Sequence, residues 1–166
     1  MKMSEKLKLP HKAAWVTFIF ANDSLNREIN RRLTDAGAVE LDVYDVLLNL
    51  EEAPDHRLKM SQLADRVLVT KSGLTRLVDR LEKQGWVERH SCPTDRRAVF
   101  ATLTPKGLAE RERAWPFYEK ALIELFGSKL SDEEAVLLRD ILGRFLTQGH
   151  PILGAACAAV TADAQS

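Results

Sequence analysis

The stretch from Ser61 to Thr104, SQLADRVLVTKSGLTRLVDRLEKQGWVERHSCPTDRRAVFATLT, constrains the fold of this chain more than any other. Leu63, Ala64 and Val67 share one helical face. Leu74, Leu77, Val78 and Leu81, spaced three, one and three, share another. Ser61 is a suitable N-cap for the first helix, predicted from Gln62 to about Val67. Thr70 or Ser72 is suited to cap the second, which reaches Gln84. Gly85 is a stop signal. WVERH (86–90) and AVFATL (98–103) carry the β-branched and aromatic residues of strands, and SCPTDRR (91–97) between them is rich in turn residues. The predicted order is helix, turn, helix, strand, tight link, strand. That is a helix-turn-helix followed by a wing.

The second helix leaves Ser72, Thr75, Arg76, Asp79, Arg80 and Lys83 on the face opposite its apolar stripe. A helix of this kind fits a DNA major groove. Near its N-terminal end, Ser72, Thr75 and Arg76 could reach base edges: Arg bonds guanine bidentately, and Thr offers a hydroxyl and a methyl. Lys71 suits a phosphate contact. Arg80 either reaches phosphate or pairs with Asp79 or Glu82. Asp95, Arg96 and Arg97 put two guanidiniums near the tip of the wing, and a narrow minor groove attracts Arg. Charge supports this reading. The 166-residue chain has 24 Lys+Arg against 24 Asp+Glu, a net charge of zero, yet His56 to Lys106 holds 11 basic and 5 acidic residues, a local excess of +6. DNA affinity depends on the local field at the phosphates.

The flanks read as helices. From Pro10 to about Asp35, Trp15, Phe18, Ile19, Asn22, Leu25, Ile29 and Leu33 share a face, with Gly37 as a stop. A second helix is expected from about Glu40 to Leu50, ended by the turn-like EEAPDHRL, and Leu58 to Met60 is a candidate edge strand. After Pro105 and Gly107, a helix is predicted from about Leu108 to Phe126, interrupted at Pro116. Ser131 and Glu134 form a capping box before a last helix carrying Val136, Leu137, Leu138, Ile141, Leu142, Phe145 and Leu146. The first and last helices hold more apolar surface than a small wing domain can bury. Packing against a second subunit would bury it. The alternative is a monomer whose outer helices cover the winged part.

Residues 10–148 resemble the MarR family (multiple antibiotic resistance regulators) of bacterial transcription regulators. The resemblance is carried by SQLADRVLVTKSGLTRLVDRLEKQGWVER, the wing's Asp95–Arg97, and LTPKG at Leu103 to Gly107. It implies a mainly α (α+β) fold, a winged helix-turn-helix with long N- and C-terminal dimerisation helices. The expected layout is an N-terminal dimerisation helix (1–36), a DNA-binding unit (37–106), C-terminal dimerisation helices (107–150) and a tail (151–166). It further implies a homodimer on a pseudo-palindromic operator in double-stranded DNA, expected to act as a repressor, with Asp95 orienting Arg97. A small aromatic or phenolic effector is implied between the dimerisation helices and the winged unit. His11, Trp15, Phe18, Tyr44, Arg89 and Trp115 are the candidates to meet it.

Other classes find little support. His11, His56, His90 and His150 form no metal-binding spacing such as H-x-x-x-H, and His90 with Cys92 and Asp95 lacks a fourth ligand. No nucleophile elbow, P-loop or dinucleotide fingerprint occurs, so neither catalysis nor a cofactor is expected. A winged helix used only for protein contact is the main rival, but it would need neither paired arginines at the wing tip nor the basic block. Cys92 and Cys157 make no disulfide framework. Cys157 suits packing, and Cys92 lacks the basic helix end or resolving cysteine of a redox switch. There is no apolar run of about 18 residues and the first residues are polar, so no membrane span or secretory leader is expected. A reducing cytoplasm fits best. The tail departs from the family pattern: Pro151 breaks the last helix, and ILGAACAAV either forms a short helix or stays mobile.

Overall fold

The computed structural model describes residues 7–67, 69–92 and 95–146, and the side chains of Cys92, Asp95, Arg96 and Arg97 lie outside the described residues. The tail, Cys157 and His150 also lie outside them. Among the described residues, six helices and three strands run in the order α1 (Leu9–Asp35), α2 (Leu41–Glu51), β1 (Arg57–Lys59), α3 (Met60–Ala64), α4 (Lys71–Lys83), β2 (Val87–Cys92), β3 (Asp95–Leu103), α5 (Pro105–Leu125) and α6 (Asp132–Gly143). Single 3-10 turns sit at Pro54–His56 and Gly127–Lys129.

Local chemistry sets the element ends. Pro10 falls in the first turn of α1, where its missing N–H costs nothing. Gly37 and Gly85, at φ +67° and +72°, end α1 and α4 in the left-handed conformation. After α4, Gly85 N–H donates to the Glu82 carbonyl at 2.9 Å and Trp86 N–H to the Leu81 carbonyl at 2.9 Å, which satisfies the last turn. Thr70 caps α4, its hydroxyl accepting from Gly73 N–H at 3.1 Å. Ser131 and Glu134 form the expected capping box of α6.

Some boundaries differ from expectation. Ser61 does not cap α3. The helix starts two residues earlier at Met60 with Lys59 as N-cap, and the Gln62 side chain accepts from Lys59 N–H at 3.1 Å. Regular α-helix ends at Ala64, although Val67 is still buried. The strands run further into the link, so that Cys92 pairs with Asp95 after a register shift at Ser91/Cys92. Helix α5 begins at Pro105 rather than Leu108, capped by Thr104, and continues through Pro116 as one element.

The antiparallel sheet has the order β1-β3-β2. One core lies under it, built from Val43, Tyr44, Val46, Leu47 and Leu50 of α2, Leu63 of α3, all four stripe residues of α4, and Leu58, Val87, Ala101 and Leu103 of the sheet. Removing such side chains from water stabilises by roughly 1.5–3 kcal/mol each. A smaller cluster, Ile29, Leu33 and Ala121, joins the second half of α1 to α5. Among the described residues, no side chain of the first half of α1 or of α6 is fully buried. Trp15, Phe18, Ile19, Phe20, Val136, Leu137 and Phe145 are all exposed. The face shared by Trp15, Ile29 and Leu33 is therefore continuous in sequence but covered only at its C-terminal end.

Candidate nucleic-acid interface

Helix α4 has a sharp division of labour. Leu74, Leu77, Val78 and Leu81 are buried, while Lys71, Ser72, Thr75, Arg76, Arg80 and Lys83 are exposed. The buried stripe anchors the helix to the core, and this fixes the opposite face as a rigid polar surface. Arg76 has no hydrogen bond or ion pair among the described residues, so its guanidinium is available. Thr75 Oγ1 donates back to the Lys71 carbonyl at 3.2 Å, and Ser72 Oγ lies 3.4 Å from Thr70 Oγ1.

The flanks of this surface are fixed by ion pairs that sequence spacing does not reveal. Arg80 pairs with neither Asp79 nor Glu82. It reaches across to α2, where its Nη2 meets Glu40 Oε2 at 2.9 Å, with Asp42 Oδ1 at 3.9 Å. Asp79 and Glu82 are used instead by Arg89 of β2. One guanidinium nitrogen donates to Asp79, with Glu82 Oε2 at 3.6 Å, and the other donates to the Thr75 carbonyl at 3.0 Å. Arg89 thus clamps the recognition helix to the wing.

Of the six effector candidates, the structure groups only some. Tyr44 of α2 and Trp115 of α5 converge on Tyr118, with ring centroids 4.4 Å and 6.2 Å apart respectively. Burial pushes the Tyr44 hydroxyl up to about 12 and raises Tyr118 as well, while the nearby Arg111 charge works against the shift at Tyr44. Beside them, Arg111 donates to Glu51 Oε1. Among the described residues, the Tyr44 hydroxyl, Glu51 Oε2 and Arg111 Nε are buried there without a hydrogen bond of ordinary geometry. Trp15 and Phe18 make a separate pair on the exposed half of α1, 6.4 Å apart, and His11 is exposed on the same helix. No ring contact joins that pair to Tyr44 or Trp115 among the described residues. Arg89 lies apart from both groups and lines a groove of about 480 Å³ with Lys59, Ser61, Thr75 and Val99.

Sequence reading missed the joint behind α4. Thr104 caps α5 by accepting from Gly107 N–H at 3.0 Å, and its hydroxyl donates to the Gly85 carbonyl at 2.7 Å. Lys106 Nζ donates to the Gln84 carbonyl at 2.8 Å. The end of the recognition helix is thereby bonded to the start of α5. The conspicuous LTPKG run was the available signal.

A helix anchored on one face, polar and cationic on the other, and followed by a two-stranded wing defines a winged helix-turn-helix DNA-binding regulator. A family model described as the MarR family matches residues 33–98. The chain is 33% identical to the HTH-type transcriptional regulator PrsX of Escherichia coli, over 70% of this chain and 69% of that one. It is 29% identical to the transcriptional repressor MprA of Escherichia coli K12, over 73% of this chain and 68% of that one. Among solved structures it is similar to Sco3205 of Streptomyces coelicolor, a MarR family transcriptional regulator in complex with DNA, with a TM-score of 0.78, 31% identity, and coverage of 87% and 91% of the two chains. The chain belongs to the MarR family of transcriptional regulators. These relatives are regulators and not enzymes. Among the described residues, no cluster of three or more His, Cys, Asp or Glu could hold a metal, and no helix is long and apolar enough to cross a membrane.

Proposed function

We propose that this protein is a cytoplasmic repressor that binds a pseudo-palindromic operator as a homodimer and is released by a small aromatic or phenolic effector. The observation that carries the DNA reading is the free polar face of α4, with Ser72, Thr75 and Arg76 held on a helix whose opposite side is wholly buried. Ser72, Thr75 and Arg76 read base edges, and Lys71 meets phosphate. Asp95, Arg96 and Arg97 of the wing reach the minor groove, with Asp95 orienting Arg97. Repression is supported by the likeness to MprA. The dimer is supported by the exposed apolar faces of α1 and α6. The effector reading rests on the aromatic wall of Tyr44, Tyr118 and Trp115 at the α2–α5 contact. His11, Trp15, Phe18 and Arg89 lie apart from that wall and would meet an effector only at separate places.

Footprinting across the DNA upstream of the protein's own gene, repeated over a salt series, tests this reading. The expected result is a protected pseudo-palindrome with half-sites about one helical turn apart and steep salt dependence. Arg76→Ala should cost about 1–3 kcal/mol and relax the preference at one position of each half-site. The double change Arg96→Ala with Arg97→Ala should weaken binding sharply while the dimer stays folded. Unchanged affinity in that double variant would favour a protein-contact wing.

A further inference from the structure

Arg80 lies on the recognition helix one turn beyond Arg76, where a cation would be expected to serve the phosphate backbone, yet it is turned aside. Its guanidinium leaves α4 and meets Glu40 at 2.9 Å, with Asp42 at 3.9 Å behind it. Glu40 is the N-cap residue of α2, but its carboxylate caps nothing. The Leu41 N–H at that helix start is taken by Asn30 Oδ1 of α1, at 2.8 Å. The N3 donor that an N-cap side chain ordinarily serves, Val43 N–H, is taken by Asp42 Oδ1 at 2.7 Å, so Glu40 is not needed there and its carboxylate meets Arg80 instead. Both side chains of the pair are about half exposed, at 50% and 49%. Such an exposed pair contributes little, so a phosphate can displace it.

We propose that Glu40 restrains Arg80 from the DNA backbone and thereby sets how well the protein discriminates its operator from other DNA. Phosphate contacts supply nearly all of non-specific binding, each neutralised phosphate releasing a counterion. A cation held by a carboxylate is withheld from a loosely docked duplex. A repulsive or withheld charge at a binding surface lowers affinity for wrong partners more than for the right one, which has other contacts to draw on. Asp42 adds a second negative charge on the same side, so a phosphate approaching Arg80 meets a local field that opposes it until the guanidinium swings free. The inference rests on the DNA-binding reading and concerns only the selectivity of that surface.

The test uses the full chain, a mixed-sequence duplex of about two helical turns, and affinity measured by fluorescence anisotropy over a salt series. Four proteins are compared: wild type, Glu40→Gln, Arg80→Ala and the double variant. Wild type should bind weakly with a salt-dependent affinity, which establishes the assay independently of Glu40. Absence of any binding there would overturn the DNA reading itself. Glu40→Gln should bind the mixed duplex several-fold tighter at low salt and steepen the slope of log affinity against log salt by about one per bound subunit. In the Arg80→Ala background the same change should give a much smaller gain and leave the slope unchanged. An equal gain in that background would mean that the carboxylate acts only through the general field, and would overturn the proposal. So would an unchanged slope in Glu40→Gln. A loss of affinity would also overturn it, since Glu40 would then be aiming Arg80 at DNA rather than restraining it.

Discussion

Gly107 shows how much can depend on one absent side chain. A Cβ at that position would lie 2.2 Å from the Trp86 carbonyl oxygen and 2.9 Å from Leu103 Cδ1. The first of these is backbone and cannot swing away. Gly107→Ala should therefore destabilise the protein by about 1–3 kcal/mol, read as a lower denaturant midpoint with an unchanged slope. The two tyrosines make a second residue-scale prediction. The chain holds only Tyr44 and Tyr118, and burial raises both above the ordinary tyrosine value of 10. A group whose folded value is raised contributes stability that is fully present below its unfolded value. That contribution is lost as pH rises through the folded one. Stability should thus hold below about pH 10 and fall between 10 and about 12, the Tyr44 value. Near-ultraviolet absorbance should show less tyrosinate at pH 10 than two free tyrosines would give while the protein stays folded, and ionisation should be completed as it opens.

Among the elements, α5 is tied to several others distant in sequence. Arg111 bonds Glu51 of α2, Arg113 Nη1 donates to the Gly37 carbonyl at 3.0 Å, and Glu124 accepts from Arg32 of α1 at 2.6 Å. The Arg111–Glu51 pair is the most buried of these, at 16% and 22% side-chain exposure. Arg111→Met should cost about 3 kcal/mol, because it strands the Glu51 carboxylate. Adding Glu51→Gln should recover much of that loss, and thermal melts of the single and double variants check both expectations. These ties also mark where sequence reading succeeds and where it stops. Helices α1, α2 and α4 were legible because their apolar residues repeat at helical steps and glycine ends two of them. Partners distant in sequence were not. Nothing in the spacing of Arg80 points to Glu40, forty positions away, whereas Asp79 and Glu82 are near neighbours and invite the wrong pairing. The start of α3 was misplaced because Ser61 is the better capping residue by type, while Lys59 caps through the Gln62 side chain and the end of β1.

At the scale of the molecule, the chain divides into a part that is closed and a part that is not. The core under the sheet is complete within one chain. Among the described residues, nothing covers the first half of α1 or most of α6, and Ile141 and Phe145 of the last helical segment are exposed. If a second copy covers these faces, stability and DNA binding depend on protein concentration. Ile141→Glu should then shift sedimentation toward the monomer and make operator affinity fall, while the circular dichroism of the winged part changes little. The layout of the reading unit was accessible from the Ser61–Thr104 pattern, because its burial is internal to the chain. The role of the outer helices was accessible only as surplus apolar surface, because what satisfies it lies outside the chain.

The sheet has an outer strand, β1, that is only Arg57, Leu58 and Lys59. Leu58 points into the core, and the two cations bracket the Phe100 ring of β3, at 5.1 Å and 5.9 Å from its centroid. A free strand edge is a template on which another chain can copy the same hydrogen-bond pattern, the first step toward fibrils. Here the template is three residues long, and any chain laid against it would crowd two positive charges already occupied by an aromatic ring. Growth of the sheet from molecule to molecule is blocked on that side by the tripeptide RLK. When the protein is heated or overproduced, clumping should therefore begin at its uncovered helices and not at the β1 edge of the sheet.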